Sequence, residues 1–361
     1  MGYIYTKSGK LAKRLYFGAV LLFEGLYYTF KNRVLADGGT FVENELPTIS
    51  QDVSLVLTPN AYKAGKLYSA VPNDGTGDFT VDRNSTATYI GQDGLIKTAL
   101  ANVPRIDWST GEAALLVEPQ RTNLITYSED FNFWTYVRSS ISSSQTISPD
   151  GLLGGTKLIA NVDNNTHQIQ KLLHTGISSS LVYSIFLKKS EFSYCTLRIQ
   201  DNAANVNGTN NSYFASFDLN TGAFVIDESQ GSPINTFHNI EDYGNGWFKC
   251  VVGLTKKGDA TRTDLQIYIG NVGGMRDIFI GDGISGIYIW GAQIEQASTA
   301  SSYIPTNGNT VTRLADNISV PTPAGVTSIT ETKNGVEQAP ITTIPATYSL
   351  PVGNINKVTM Q

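Results

Sequence analysis

The run FTVDRNSTATYIGQDGLIKTALANVPRIDWSTGEAALLVEPQRTNL, Phe79 to Leu124, sets the fold class. Short apolar or β-branched stretches alternate in it with turn signals. Thr86 to Ile90, Leu95 to Thr98 and Ala114 to Val117 read as strands. Gln92-Asp93-Gly94 and Ser109-Thr110-Gly111-Glu112 separate them, and Asn73-Asp74-Gly75 lies just upstream. Strand, glycine-bearing turn and strand in succession is hairpin grammar. Arg83, Arg105 and Arg121 recur here beside Asp82, Asp107 and Glu118. A planar guanidinium pairs well with a carboxylate or a carbonyl, so these arginines are read as structural cross-links and not as catalytic groups.

Outward from this run, β grammar continues. The spacing of apolar runs from Ile125 to Ala297 predicts a β-sandwich. The expected strands are Thr156 to Ala160, Leu181 to Lys188, Cys195 to Gln200, Tyr213 to Leu219, Ala223 to Asp227, Trp247 to Leu254, Asp264 to Ile269, Ile278 to Ile280 and Gly286 to Ile294. Asp218 to Gly222 is a hairpin connection with glycine where a positive φ is needed. Apolar residues crowd in Leu181 to Leu187, which marks a central strand. In Gly286 to Glu295, Ile287, Ile289 and Gly291 fall on one face and Tyr288, Trp290 and Ala292 on the other. Both faces need cover, as in an inner strand. Ala61 to Lys66 reads as a short helix or a turn, and Tyr68 to Pro72 as extended. Val326 to Thr330, Pro340 to Thr347 and Asn356 to Met360 are β-like pieces too short to stand alone, so they must pair with the body or with a neighbouring chain. The chain thus divides into residues 1–50, a hairpin-rich module at 51–124, a sandwich at 125–297 and a β-like tail at 298–361.

The N-terminal arm is different. Arg14 to Phe30, RLYFGAVLLFEGLYYTF, is apolar at nearly every position without a clear helical period. Such a segment needs cover on all sides. Two readings stay open: it docks on another protein or on sister subunits, or it pads the chain's own core. Arg33 to Thr40 ends it in a Gly38-Gly39 turn. Leu15 to Phe23 after Lys10, Lys13 and Arg14 imitates a signal peptide, but Glu24 interrupts it and no small-residue cleavage site follows, so the segment is expected to be retained.

Composition bounds the partners. Of 361 residues, 41% are hydrophobic and only 16% charged, with 34 glycines supplying turns. Neutral Ser, Thr and Asn replace much of the usual charged surface. Net charge is −5 and no basic block tracks a phosphate backbone, which argues against nucleic acid as a partner. No stretch of about 20 apolar residues spans a membrane. The two cysteines, Cys195 and Cys250, lie in strand-like runs with no CxxC spacing. Buried free thiols are the default, and a bridge between neighbouring strands stays open.

Several pieces resemble a module of phage virion proteins of the fibre and spike type. They are LTPNAYKAGKLYSAVPNDGTGDFTVDRNSTATYI (Leu57 to Ile90), GLIKTALANVPRIDW (Gly94 to Trp108), LLVEPQRTNLITYSEDF (Leu115 to Phe131), WGAQIE (Trp290 to Glu295) and SSYIPTNGNTVTRLAD (Ser301 to Asp316). Together they span Leu57 to Asp316 in the order such proteins show. NLITYSEDFNFW (Asn123 to Trp134) and YGNGWFKCVVGL (Tyr243 to Leu254) resemble the flanking strands of jelly-roll carbohydrate-binding modules. The resemblance implies a mainly β chain: a jelly-roll sandwich after a hairpin-rich module and an N-terminal virion-anchoring segment. It implies a virion-surface location, a carbohydrate-binding-like sandwich and a homo-oligomer of the trimeric kind, and does not identify a ligand; a host-surface glycan is the candidate, and docking of residues 1–50 on other virion proteins is the expectation that the apolar arm carries. It also implies a structural calcium, for which Glu129, Asp130 and Glu295 are the candidate ligands; each is equally a surface carboxylate.

Catalytic constellations are missing from the sequence. The three histidines, His167, His174 and His238, have no metal-ligand spacing, and neither a nucleophile elbow nor a phosphate loop occurs. Asp227/Glu228 and Glu241/Asp242 are adjacent in sequence, so on a strand each pair points to opposite faces. No enzyme and no cofactor are therefore expected; a glycan depolymerase or a secreted glycan-binding protein is the alternative. Sugar rings stack on aromatic faces, and the chain has 18 Tyr and 4 Trp. Trp247 and Trp290 read as core. Trp134, Tyr136, Tyr194, Tyr213 and Tyr268 are the candidate sugar-stacking residues.

Overall fold

The computed structural model describes residues 19–43, 52–174, 180–201, 210–255 and 262–361. It is mainly β, as the turn-and-strand grammar predicts. The contacts divide the chain into two units that do not follow chain order. One comprises Met1–Asn84, Ala99–Glu118 and Asp316–Gln361; the other comprises Ser85–Thr98 and Pro119–Ala315.

The first unit is built on a mixed-length antiparallel sheet. Its strands run in the order Val336–Glu337, Ile329–Lys333, Gly353–Met360, Leu55–Lys63, Lys66–Val71, Phe79–Asp82, Asn317–Pro321 and Thr347–Ser349. Gly353–Met360 also pairs with Ala114–Val117. The C-terminal pieces thus find partners in their own chain, which short strands require. Ala61 to Lys66 is the end of one strand, a turn with Gly65 at φ +78°, and the start of the next. One side of the sheet carries the main core of this unit, including Leu57, Phe79, Leu115, Val320 and Val358.

The other side is covered by a helix, Ala19–Ala36, where sequence periodicity shows none. Phe30 and Val34 are fully buried against Val56, Ala61, Tyr68 and Ala70, with Tyr27 packed beside them. The spacing 27, 30, 34 is one helical face. The helix ends at Gly38, φ +73°, with Gly39 N–H donating to Val34 O. A Cβ at Gly39 would lie 2.8 Å from the Tyr68 ring, so only glycine lets the chain leave here. Phe30 and Val34 are thus covered by their own unit, as the padding reading expects, while Tyr28 and Leu35 stay exposed. Residues 1–18 and 44–51 of the segment expected to dock lie outside the described residues.

Two arginines of the opening run meet one distant carboxylate. Arg83 Nη1 lies 2.8 Å from Asp316 Oδ1, and Arg105 bridges Asp316 and Glu118, the latter at 2.6 Å. Asp107 binds Ser109 N at 2.9 Å, and Arg121 donates to Gln120 O.

The second unit is a β-sandwich of two six-stranded antiparallel sheets. The first runs Thr135–Val137, His167–His174, Arg262–Gly270, Tyr194–Asp201, Asn211–Asp218, Ala223–Gln230. The second runs Ser139–Ile147, Leu153–Ala160, Gly286–Gln296, Ser180–Lys189, Trp247–Thr255, Ile234–Asp242. Alternate residues fill the space between: Ile267, Leu197 and Phe217 from one sheet, Tyr183, Val252 and Ile289 from the other. Ser180–Lys189 pairs on both sides, the central strand that its crowded apolar pattern demands. Gly286–Gln296 is an inner strand with a correction. Ile287 and Ile289 face the core, but so do Ala292 and Ile294. The phase changes at a bulge, where Ser184 pairs Gln293 and Phe186 pairs Trp290, with Gly291 at φ +62°. Trp290 keeps the side opposite Ile289, onto Phe186, Trp247, Ile96 and Tyr303 in a second, smaller cluster, and the bulge brings Ala292 and Ile294 to the core. Both tryptophans are 1% exposed, as a core reading requires. Cys195 and Cys250 are free, buried thiols.

Candidate functional site

The register of the first sheet decides what lies on its side away from the core. Successive strands align Gln168, Tyr268, Thr196 and Ser216 in one row. The next row is Gln170, Gln266, Arg198, Phe214 and Glu228, and a third holds Asp264, Gln200, Ser212 and Gln230. Neighbouring residues of the same strand, one position removed, are the apolar ones that fill the core. Two-residue periodicity has therefore gathered these amides, the guanidinium and the hydroxyls of the three rows on one side.

Outward faces of sandwiches are ordinarily wetted. Here the middle of the face is closed off: Gln266 and Tyr268 are each 6% exposed and Ser212 is 0% exposed, while Arg198, Gln170, Arg276 and Glu228 are half-buried around them. Burial of polar groups is tolerated only if they are bonded, and a lattice supplies this. Arg198 donates to Gln266 Oε1 at 2.8 Å and to Ser212 Oγ at 2.9 Å. Gln266 Nε2 donates to Gln170 Oε1 at 3.0 Å, and the Tyr268 hydroxyl donates to Gln266 Oε1 at 2.6 Å. Phe214 forms an aromatic floor under two guanidinium groups, Arg198 at 5.0 Å and Arg276 at 4.5 Å. Arg276 reaches it from a residue at φ +57°, an uncommon backbone state outside glycine. It also meets Glu228 at 3.2 Å.

Electrostatics follow from burial. Desolvation lowers the Arg198 pKa, with Tyr268 and Asp264 opposing and Arg276 adding to it; a guanidinium stays charged nonetheless. Desolvation raises the Tyr268 hydroxyl pKa, against the pull of Arg198 and Arg276, and keeps it a donor. Two polar atoms have no partner: Arg198 Nε and Ser216 Oγ, the latter on a residue that is fully buried. The face thus holds fixed donors and acceptors with capacity left over.

The residues singled out from sequence are scattered. Tyr268 belongs to this face, and Tyr194 stands half-buried at its margin, on the same side of its strand as Thr196 and Arg198. Tyr268 is a hydrogen-bonding member and not an open ring. Trp134 is 5% exposed and packs in the sandwich core with Phe131, so it offers no stacking face. Tyr213 is also a core residue; its hydroxyl touches Asp227 at 3.1 Å and His238 Nδ1 at 2.6 Å. Tyr136 is 37% exposed on an edge strand, its hydroxyl bound to Phe131 O. Gln170, Arg198, Phe214, Gln266, Arg276 and Glu228 were not singled out, because each is an ordinary residue until register groups them.

The three calcium candidates do not converge. Glu129 accepts the Tyr303 hydroxyl at 2.8 Å, and Asp130 caps a short 3-10 turn by accepting Asn132 N. Glu295 is not a surface carboxylate; it is fully buried and bound by Ser301 N at 3.0 Å and by Ser301 Oγ. Lys249 donates to Ser301 O and Arg313 to Ser301 Oγ, so the serine that binds Glu295 is itself held by two cationic side chains. Among the described residues no three His, Cys, Asp or Glu side chains form a metal-sized group. Among them, too, no helix is long and apolar enough to cross a membrane.

No protein-family profile matches the chain, and no curated protein matches it. Solved structures that resemble it include the enzymatically active domain of tailspike protein 4 from bacteriophage CBA120, at 9% identity and a TM-score of 0.29 over 48% of this chain. The alignment spans 21% of the tailspike chain, so this protein corresponds to about a fifth of its length. A candidate sugar-binding protein from Bacteroides thetaiotaomicron aligns over 48% of this chain and 94% of its own, at 15% identity and a TM-score of 0.28.

Proposed function

We propose that this chain is a non-enzymatic component of a phage virion surface that binds saccharide through the outer face of the first sandwich sheet. One observation carries the binding half: amides, a guanidinium and hydroxyls are held in a closed lattice on the side of a sheet that has no core to serve. Fixed planar hydrogen-bonding groups over an aromatic floor suit polyhydroxylated rings. The carboxylates near the face are engaged by arginines. Asp264 is held by Arg262 at 2.8 and 3.0 Å, and Glu228 by Arg276.

The virion half rests on the sequence resemblance from Leu57 to Asp316. Docking is assigned to the N-terminal arm, residues 1–50, of which Phe30 and Val34 already pack on the chain's own sheet. Assembly is as a homo-oligomer, a trimer in such fibres, without a metal cofactor. A glycan array of host-surface polysaccharides, run with the full chain and with Arg198→Ala, tests binding. Retention on at least one polysaccharide, lost in the variant, is expected. No retention on any sample, or equal retention by both proteins, overturns the binding reading. Release of reducing ends on incubation overturns the non-enzymatic one. Deleting residues 1–18 and scoring incorporation into particles tests docking; undiminished incorporation refutes it.

A further inference from the structure

A second cleft lies in the same sandwich unit, where residues 127–132 and 305–307 meet the Ser143-Ser144 and Gly154 to Thr156 stretches, and it encloses about 530 Å³. That volume lies within the range of small-ligand sites. We infer that this cleft is a separate saccharide site, selective for neutral or amine-bearing sugars over acidic ones.

Its walls are fixed by backbone. Tyr127 and Asn307 form an antiparallel bridge, Ser128 N donates to Thr306 O at 3.3 Å, and Thr306 N donates to Ser128 Oγ at 2.9 Å. One wall is aromatic. The Tyr127 ring stacks on Phe133 with centroids 3.7 Å apart and planes 8° from parallel, and Phe133 itself is 51% exposed. A stacked pair held this way is a rigid plate at little entropic cost to a ligand.

The rest of the lining is polar, with unmet demand. Thr306 is 7% exposed, yet its hydroxyl has no hydrogen-bond partner. A buried hydroxyl without a partner is destabilising unless something supplies one. It belongs to a residue that lines the cleft, so a ligand hydroxyl is the group that would complete it. Asp130 spends one oxygen, Oδ1, on Asn132 N and Nδ2. Glu129 retains exposed surface, but its carboxylate sits deep enough that desolvation raises its pKa, with the nearby Asp150 charge adding and the Tyr303 hydroxyl opposing.

Charge sets the selectivity. Glu129 and Asp130 line the cleft, and no Lys or Arg is among its lining residues. An acidic sugar would bring a carboxylate against two others with no cation among the lining residues, and the Lys171 ammonium beside the aromatic wall is held on Phe133 O at 2.9 Å; that is an electrostatic penalty built into the site. A hydroxyl or an ammonium group meets acceptors instead. The sheet face differs in this respect, since Arg198 and Arg276 stand on it.

Titration calorimetry on the full chain carrying Arg198→Ala isolates the cleft, so the outcome is independent of the sheet-face proposal. The probes are mannotetraose, maltotetraose, the tetramer of glucosamine, and tetragalacturonate. At least one neutral or amine tetramer is expected to bind, and tetragalacturonate to bind at least tenfold more weakly. Tyr127→Ala and Thr306→Val are each expected to weaken the binding tenfold or more. Thr306→Val keeps the side-chain volume and removes only the unpartnered hydroxyl, so its thermal midpoint should be equal to or above that of the parent. No binding by any neutral or amine tetramer at millimolar concentration overturns the inference. So does equal binding of tetragalacturonate, or unchanged affinity in a correctly folded Thr306→Val.

Discussion

The guanidinium of Arg198 lies 5.0 Å from the centroid of the Phe214 ring while both of its terminal nitrogens are engaged by Gln266 and Ser212. One side chain thus ties an aromatic floor to an amide lattice across three strands. Lysine cannot replace it, because an ammonium has no planar fork to hold two acceptors at once. Arg198→Lys should therefore weaken glycan retention by about 1–3 kcal/mol, the cost of buried acceptors left unbonded. Affinity measured against the polysaccharide found on the array checks this; an unchanged dissociation constant would remove Arg198 from the site.

Asp316 takes two buried arginines, Arg83 and Arg105, and also accepts Glu118 N at 2.9 Å. Removing it leaves two guanidinium groups without their shared anion in the first unit. Breaking one side of such a buried ion cluster costs about 3–5 kcal/mol. Asp316→Ala should lower the urea midpoint accordingly, and Asp316→Asn less, since the amide oxygen still accepts. Chemical denaturation of the three proteins is the check. A loss below about 1 kcal/mol, the scale of an exposed pair, would mean that water already shares these charges.

The arginine cluster also marks how far sequence reading reaches. Turn chemistry and two-residue alternation are local, so strand existence was legible from Thr86 to Ile294. Three strands of eight or more residues were not: Ser139–Ile147, His167–His174 and Ile234–Asp242, nor were short ones such as Thr135–Val137. Two of these are edge strands with little buried surface, and polar residues at both parities hide their period. The helix Ala19–Ala36 was hidden for the opposite reason, apolar residues on all sides of the wheel. Partners far apart in sequence were out of reach: Asp316 lies 233 residues from Arg83. The site failed for the same cause. Gln170, Gln266, Arg198 and Glu228 become neighbours only through register, while aromatic residues, conspicuous in sequence, mostly went to the core.

The bulge at Gly291 gives a test of how register is set. A side chain there would need the left-handed backbone at φ +62° and would place Cβ 2.9 Å from the Phe186 ring. Backbone strain alone costs about 1–3 kcal/mol. Gly291→Ala should therefore unfold at lower denaturant concentration, and the near-ultraviolet signal of Trp290 should change because the outer aromatic cluster rests on this bulge. A variant as stable as the parent would show that the strand accommodates the side chain by moving.

Acid stability should depend on Glu191. Burial raises its pKa, but Lys157, the Gly286 amide and Ser190 outweigh burial and hold it at about 2, below its ordinary value of 4.5. A depressed folded pKa contributes stability that is present above the unfolded value. It is lost as pH falls from about 4.5 to about 2. Glu191→Gln should therefore be less stable than the parent at neutral pH and converge with it near pH 2. Thermal midpoints across this range are the measurement, and parallel curves would show that the carboxylate does not carry the dependence.

Cys195 and Cys250 stand in facing sheets of the sandwich core, reduced and fully buried. Desolvation raises both thiol pKa values, Cys250 further through the neighbouring Cys195 and Glu241. Only a thiolate attacks an alkylating reagent, and only where the reagent can reach it. Both thiols should therefore stay unlabelled in the native protein and react together as the sandwich opens, giving a labelling rate that follows its unfolding equilibrium. Mass spectrometry after timed iodoacetamide exposure, with and without urea, reads both sites. Rapid native labelling of either residue would place that thiol at the surface. Absence of labelling in full denaturant would reveal a bridge, the alternative that spacing alone left open.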